Sequence, residues 1–573
     1  MDREIKLSQL YLAALTLLLF YLPPSKTAAT QPVLPSDKEL HNQEVFQTSQ
    51  VKVRQAQLQP KTKDIRSEKG SGTTGKINFP TEKICYELDT VSYNSDSSNV
   101  NLGDINTLTS QAQGKCLGIA GIRLLAKALQ DEVIRQGYIT TRIVLPEQNL
   151  KSRELHFDIV SGRVGKIVLN KTGGDYISLK NTLPFRSGDV TNLRDLEQGS
   201  FNLQRVPGSS VKINLLPGAN KGESDIYIDR QQDKFWQIGA WMNDAGDAAT
   251  GRYQGGLALY LNNPTSLSDT FYVSLSHNID SGNSARGNRA RAIGYSVPWD
   301  YWWLDFYASQ SRYRQHMQGN WSQWMLNNNN HYYSLQLNRL LSREVAQKTS
   351  VGLQLFKMDT RYFLNDIAME SMSKKSAGWK AILQHQHNFS NAVIVGSLSY
   401  QKKMPWFNSA DTVEQKGKII DAEGRIIQLD LQAAINFNAM QQQFNYSPHF
   451  MLQFTPDRLS SIEKFALGNR WTVRGFDGEN SLQENKGWYW RNDLAWRAPD
   501  RNYQPYLGID MGRAIGDQSQ QFYSGKTLVG TTIGVRGAYL HIDYDLFAGI
   551  PLKKPQGFYT DPVALGFSLH WKY

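Results

Sequence analysis

The sequence predicts a mainly β membrane protein, a transmembrane β-barrel preceded by two compact α/β units. Three observations predict it. From about residue 232 onward, apolar residues recur at every second position over long stretches. All 14 tryptophans lie from Trp236 onward and both cysteines lie before residue 117, so the composition changes sharply at the same place. Before that boundary, a β-α-β-β plan occurs twice in tandem.

The alternation is clearest at the C-terminus. Leu565, Phe567, Leu569, Trp571 and Tyr573 fall on one face, and Gly566, Ser568, His570 and Lys572 on the other. Ile427, Leu429, Leu431, Ala433 and Ile435 alternate with Gln428, Asp430, Gln432 and Ala434. Trp488, Trp490, Leu494 and Trp496 alternate with Tyr489, Arg491, Asp493 and Arg497, and Phe271, Val273 and Leu275 with Ser274 and Ser276. Period two means strands with one apolar and one polar face. A soluble sandwich would bury the apolar faces against each other; a membrane barrel turns them to lipid. The barrel is favoured because the strands approach the length needed to cross a bilayer. Aromatics also cluster at strand ends, as in Trp299, Tyr301, Trp302 and Trp303, Trp321 with Trp324, and Trp406 with Phe407. The polar face carries Arg, Asp and Lys, which suits a wet lumen. At about 20 residues per strand and connection, residues 232–573 accommodate about 16 strands.

In the first α/β unit, residues 83–91 read as a strand, with Ile84, Tyr86 and Leu88 alternating with Cys85, Glu87 and Asp89. Residues 117–136 form an amphipathic helix with Ile119, Ile122, Ala126, Leu129 and Val133 on its apolar stripe, stopped by Gly137. Strands follow at 139–145 and 154–160. The second unit has a strand at 165–169, helical stretches at 177–183 and 192–204, and strands at 211–215 and 224–229. Boundaries are expected at 80–161 and 162–231. Residues 60–79 are polar and Gly-rich, the composition of a flexible linker. Residues 30–59 hold a capping box, Ser36 to Glu39, and a helix-compatible run that is polar all round. Such a helix needs a wet, enclosed site or a partner. Residues 1–29 read as a cleaved secretory leader: Arg3 and Lys6, an apolar stretch from Leu10 to Leu22, then Thr27-Ala28-Ala29.

The net charge of +11 is dispersed, with no Lys/Arg run of five or more, which argues against a nucleic-acid partner. A basic interior or an anionic lipid surface explains it as well. Behind a secretory leader, Cys85 and Cys116 are expected to form one disulfide, two free buried thiols being the alternative.

Two features suggest chemistry and fail. GSGTTGKI, residues 70–77, is G-x-x-x-x-G-K, but Ile77 stands where a phosphate loop needs Ser or Thr. A polar stretch precedes it, and Pro80 with a strand follows, leaving no helix to receive phosphate. His385 and His387 share a strand face without a Cys or third His nearby, so no metal site is expected; luminal or loop exposure is. No G-x-S-x-G, H-E-x-x-H or C-x-x-C occurs. The chain is not expected to be an enzyme or to need a cofactor.

Several spaced segments then resemble one family. In the first unit they are Cys85-Tyr86-Glu87-Leu88, Cys116-Leu117-Gly118 with Gly121-Ile122, and Gly137 to Arg142; Ser161-Gly162-Arg163-Val164 resembles the junction between units. In the barrel they are Val473 to Glu479, Gly487 to Leu494, Gly508 to Gly512 and Tyr544 to Gly549. The chain resembles the outer-membrane transporters of two-partner secretion, in the subgroup that exports haemolysins and contact-dependent inhibition toxins. The resemblance implies a 16-stranded barrel over residues 232–573, two periplasmic polypeptide-transport-associated (POTRA) domains and an N-terminal plug helix at 30–59. It implies a large β-rich exoprotein engaged through the POTRA domains, outer-membrane lipid around the barrel, barrel-assembly machinery during biogenesis, and a monomer. Tyr573 resembles the terminal aromatic read by that machinery, though it could also be a girdle residue.

The resemblance also implies a site. Val473-Arg474-Gly475-Phe476 lies in a long connection from about 455 to 486, and connections of that length are usually functional. In the family this loop folds back into the lumen and its arginine pairs with an aspartate on a barrel strand. Leu507, Ile509 and Met511 occupy one face of their strand, so Gly508, Asp510 and Gly512 face the lumen and Asp510 fits that partner. A guanidinium holds a carboxylate through two parallel bonds, which lysine cannot imitate. Gly475 allows a positive φ, and Phe476 can pack on the wall. An insertase of the barrel-assembly superfamily shares this loop and is the rival reading. Two POTRA units and the plug argue against it, and periplasmic units argue against a plain diffusion porin.

Overall fold

A computed structural model describes residues 76–97, 103–170, 176–279, 286–318, 323–344, 346–409, 412–499, 502–516 and 523–573. The leader, the expected plug helix and nearly all of the expected linker lie outside the described residues.

Sixteen antiparallel strands close into a barrel, each paired with its sequence neighbour and the last, Ala564–Lys572, with the first, Trp236–Asn243. A two-residue strand, Ile367–Ala368, adds to one extracellular connection. The expected alternation sets the inside and the outside. Leu507 and Ile509 are 58% and 59% exposed on the outer face, while Asp510, the next residue of the same strand, is 0% exposed. Most of the barrel's exposed large apolar side chains, Leu257, Leu275, Leu353 and Ile533 among them, therefore meet lipid. Among the described residues no helix is long and apolar enough to cross a membrane. Trp299 and Trp302 flank a two-residue turn on the POTRA side of the barrel, as girdle residues do.

The first unit has a three-stranded sheet in which Glu154–Val160 lies between Thr90–Ser95, parallel, and Arg142–Val144, antiparallel. The long helix Ile119–Arg135 covers it, burying Ile122, Leu125, Leu129 and Val133. Gly137 follows with φ 102° and ends the helix. Three expectations are corrected here. The strand expected over 83–91 is two strands, Tyr86–Leu88 and Thr90–Ser95, because the first leaves the sheet to pair with Lys115–Leu117. Ile84 consequently points to solvent. Ile119, the first residue of the helix, is exposed too. A short helix, Ile105–Ser110, was not expected; its Thr, Asn and Ser residues are weak helix formers, and it is held by burying Ile105 and Leu108. At the end of the expected linker, Ile77 and Phe79 pack on this unit's core, and the Ile77 N–H donates to Gln111 Oε1 at 2.8 Å.

The long helix has no side-chain cap of its own, since Gly118 stands at its N-cap. Glu82 supplies one from 36 residues away: Gly118, Ala120 and Gly121 donate their N–H groups to its carboxylate at 3.0, 2.9 and 2.8 Å. Those bonds, led by Ala120 and Gly121, hold the Glu82 carboxyl below the usual glutamate range.

The second unit orders its strands Arg163–Asn170, Glu223–Gln232, Ser209–Pro217 under the helix Leu193–Gln204. It is bound to the periplasmic turns of the barrel. Asn181 Nδ2 donates to the carbonyls of Leu267 and Pro298 at 2.8 and 3.0 Å, and Asn202 Nδ2 donates to the carbonyl of Asp300 at 2.7 Å. The backbone joins in, with the Asp300 N–H donating to Asn181 O and the Ser178 N–H to Ser266 O.

Candidate functional site

The connection between the strands Gln442–Phe454 and Lys486–Arg497 enters the barrel instead of standing outside it. Its two arms pair as a short hairpin, Phe465–Leu467 with Leu482–Glu484. Leu467, Val473 and Leu482 are fully buried, in one cluster with Phe465, Phe476, Tyr489, Leu528 and Phe558. A loop that carries its own apolar core into a wet lumen can hold a shape there, each such side chain contributing about 1.5–3 kcal/mol by burial.

The structure brings the expected site residues together at the hairpin's tip. Arg474 donates from Nε to Asp510 Oδ2 at 2.7 Å and from Nη2 to Asp510 Oδ1 at 2.9 Å, two parallel bonds on a carboxylate with no solvent exposure. The Arg474 N–H donates to the same carboxylate at 3.0 Å, and the Asn492 N–H at 3.2 Å. Gly475 has φ 95°, in the left-handed region that a side chain would strain. Phe476 packs edge-on against Phe558, centroids 5.7 Å apart, and Val473 is buried beside Gly512.

The wall is cut to receive this turn. A Cβ on Gly530 would stand 1.9 Å from the Arg474 carbonyl oxygen, and one on Gly508 would stand 2.6 Å from Arg474 Nη2. Gly508 was expected as a flanking residue. Gly530 was not, because it lies on the next strand and only the finished barrel places it opposite the loop.

Other contacts escaped sequence reasoning. Asp493, on the polar face of Lys486–Arg497, is a second carboxylate for Arg474 Nη2 and also lies 3.6 Å from Arg536. Arg470 pairs with Asp244 just beyond the first strand and donates to the Phe567 carbonyl on the last. Near the loop's entry, Glu463 pairs with Lys403 at 2.9 Å and accepts from Ser376 Oγ at 2.7 Å, on the adjacent wall strands Ala392–Lys403 and Lys374–Asn388. The loop is thus fastened at three places on the wall.

Cys85 and Cys116 are joined as a disulfide that ties the small two-stranded sheet. His385 lies with Leu383 on the outward face near the periplasmic rim and hydrogen-bonds Thr349 Oγ1 at 2.9 Å, so the expectation of luminal or loop exposure is corrected. Leu383, two residues before it on the same face, is exposed on the outer surface. Among the described residues no group of three His, Cys, Asp or Glu could hold a metal ion.

Comparison with known proteins agrees with this architecture. Residues 222–537 match the family model for haemolysin secretion/activation proteins ShlB/FhaC/HecB, residues 91–162 a ShlB-type POTRA domain and residues 163–217 a further POTRA domain. The outer membrane transporter CdiB-2 of Burkholderia pseudomallei is 32% identical over 80% of this chain and 78% of its own. The solved structure of CdiB from Acinetobacter baumannii superposes with a TM-score of 0.82 at 28% identity, covering 94% of this chain and 100% of that one. CdiB from Escherichia coli superposes at 0.77 with 25% identity, covering 95% and 100%. The chain belongs to the ShlB/FhaC/CdiB family of two-partner-secretion transporters, outer-membrane translocons with periplasmic POTRA domains that pass a large exoprotein through a 16-stranded barrel.

Proposed function

We propose that the exported partner is a β-rich exoprotein of the contact-dependent inhibition class, with a haemolysin as the alternative cargo, and that the two POTRA units engage it in the periplasm. The similarity to transporters named CdiB supports the first choice. An exposed POTRA sheet edge can add a strand from an extended client with little demand on its sequence. Barrel-assembly machinery is the proposed partner during biogenesis, with Tyr573 as the terminal aromatic it reads.

Within the barrel, Arg474 and Asp510 hold the inserted loop in a secretion-competent position, with Val473, Gly475 and Phe476 shaping the turn. The observation that carries this role is the two-bond, fully buried pair between a connecting loop and the wall. Removing one member of such a pair leaves the other buried and uncompensated, at a cost of about 3–5 kcal/mol. Arg474→Ala is expected to abolish appearance of a co-expressed exoprotein in the medium while the barrel still assembles, checked by its heat-dependent shift on a gel. Wild-type export by that variant would overturn the role.

A further inference from the structure

The POTRA units lie in the periplasm, so the turn at Asp300 is periplasmic and the far ends of the strands Arg286–Trp299, Trp302–Gln318 and Gln323–Arg343 are extracellular. On the outer face of Trp302–Gln318 the outward side chains run Trp302, Leu304, Phe306 and Ala308, then Gln310, Arg312 and Arg314. From Trp302 to Arg312 the strand climbs about 33 Å, or about 25 Å along the membrane normal at a tilt near 40°, which is the height of the apolar band of such barrels. Arg312 therefore stands at the outer edge of the hydrocarbon.

There it faces another arginine. The strand register sets Arg289 directly opposite Arg312, and Arg291 opposite Gln310 one outward row below. All three arginines are exposed on the outer face. Like charges directly opposite each other destabilise a sheet. Among the described residues no carboxylate pairs with Arg289, Arg312 or Arg314. By contrast, Asp359 answers Arg361 at 3.2 Å, and Arg291 Nε donates to Gln310 Oε1 at 2.8 Å. Beside the arginines is a cleft of about 780 Å³. Its apolar wall is made by Met242, Leu257, Leu275 and Ile279, all exposed to lipid. Gly255 lowers its floor, where a Cβ would stand 3.2 Å from Ile279.

We propose that this face is a binding site for a phosphorylated glycolipid of the outer leaflet, its phosphate between Arg289 and Arg312 and an acyl chain in the adjoining cleft. The depth of the arginines matches a lipid phosphate, and the apolar cleft beside them gives the same molecule a second point of attachment. Anionic phospholipid of the inner leaflet would sit at the opposite end of the barrel, near Trp302.

The test is native mass spectrometry of the full chain in detergent, titrated with bisphosphorylated lipid A, dephosphorylated lipid A, phosphatidylglycerol or inorganic phosphate. Wild type is expected to bind bisphosphorylated lipid A at least tenfold more tightly than its dephosphorylated form or phosphatidylglycerol. R289Q/R312Q is expected to lose that preference, R289K/R312K to keep most of it, and R339Q at the periplasmic end to leave it intact. Equal binding of dephosphorylated lipid A overturns the site, and equal binding of phosphatidylglycerol overturns the assignment to the glycolipid. Displacement of lipid A by equimolar inorganic phosphate would identify a free anion as the ligand instead. If R289Q/R312Q fails to assemble, the wild-type comparison alone decides.

Discussion

Arg470 of the inserted loop pairs with Asp244, just beyond the first barrel strand, and donates to the carbonyl of Phe567 on the last. Asp244 in turn accepts from the Phe567 N–H at 2.9 Å. One ion pair thus braces the seam where the barrel closes. The seam needs it: the last strand meets the first only from Ser568 opposite Asn243 to Lys572 opposite Gly239.

Asp244→Asn is therefore expected to speed amide exchange in residues 239–243 and 568–572. The loss expected for a hydrogen bond to a charged group is about 1.5–3 kcal/mol. The exchanged pair Arg470→Asp with Asp244→Arg should restore part of the protection. Unchanged exchange in the single variant would mean that the strand ladder alone holds the seam.

The two carboxylates on Arg474 are expected to differ in weight. Asp510 accepts from three Arg474 groups and from the Asn492 N–H, whereas Asp493 takes one Arg474 bond. Asp510→Asn should abolish export, as Arg474→Ala should, and Asp493→Asn should weaken loop docking by about 1.5–3 kcal/mol and leave residual export. Arg474→Lys should behave like Arg474→Ala, because an ammonium cannot span both oxygens of Asp510. Secreted exoprotein per assembled barrel is the measurement.

Gly530→Ala tests the seat for the loop. Its new methyl carbon would meet the Arg474 carbonyl oxygen at 1.9 Å, a contact with backbone that no rotamer relieves. Loss of export with a heat-modifiable barrel is expected. Gly396→Ala is the control, since its Cβ would meet only a Leu431 methyl at 3.1 Å.

The Glu82 cap makes the first POTRA unit acid-sensitive. Its carboxyl is held below the usual range by the Ala120 and Gly121 N–H groups. A depressed folded value means that the stabilisation is fully present above the ordinary pKa near about 4.3 and fades as pH falls through the folded value. Amide protection at residues 118–121 should therefore drop below about pH 4 in the wild type. In Glu82→Gln it should already be reduced at pH 7 and show little further change.

Most of the barrel was legible because its solvent imposes a period. Once Leu507 and Ile509 are assigned to lipid, Asp510 has nowhere to point but inward. Arg474 was legible as part of a motif in an overlong connection. The rest depends on closure. Asp244 and Arg470 are 226 residues apart, and only the stagger of sixteen strands makes them neighbours. Gly530 likewise reads as an ordinary strand glycine until the loop is seen to rest on it. In the first POTRA unit, Glu82 carries no local signal, since Gly118, the N-cap of the helix it serves, lies 36 residues later.

The bonds from Asn181 and Asn202 to the turns at Leu267, Pro298 and Asp300 have a mechanical meaning. They make the second POTRA unit a fixed spout rather than a swinging arm. An unfolded chain lying along it would leave at one heading and one height relative to the barrel mouth. Its search for the entrance would then be reduced to sliding along its own length.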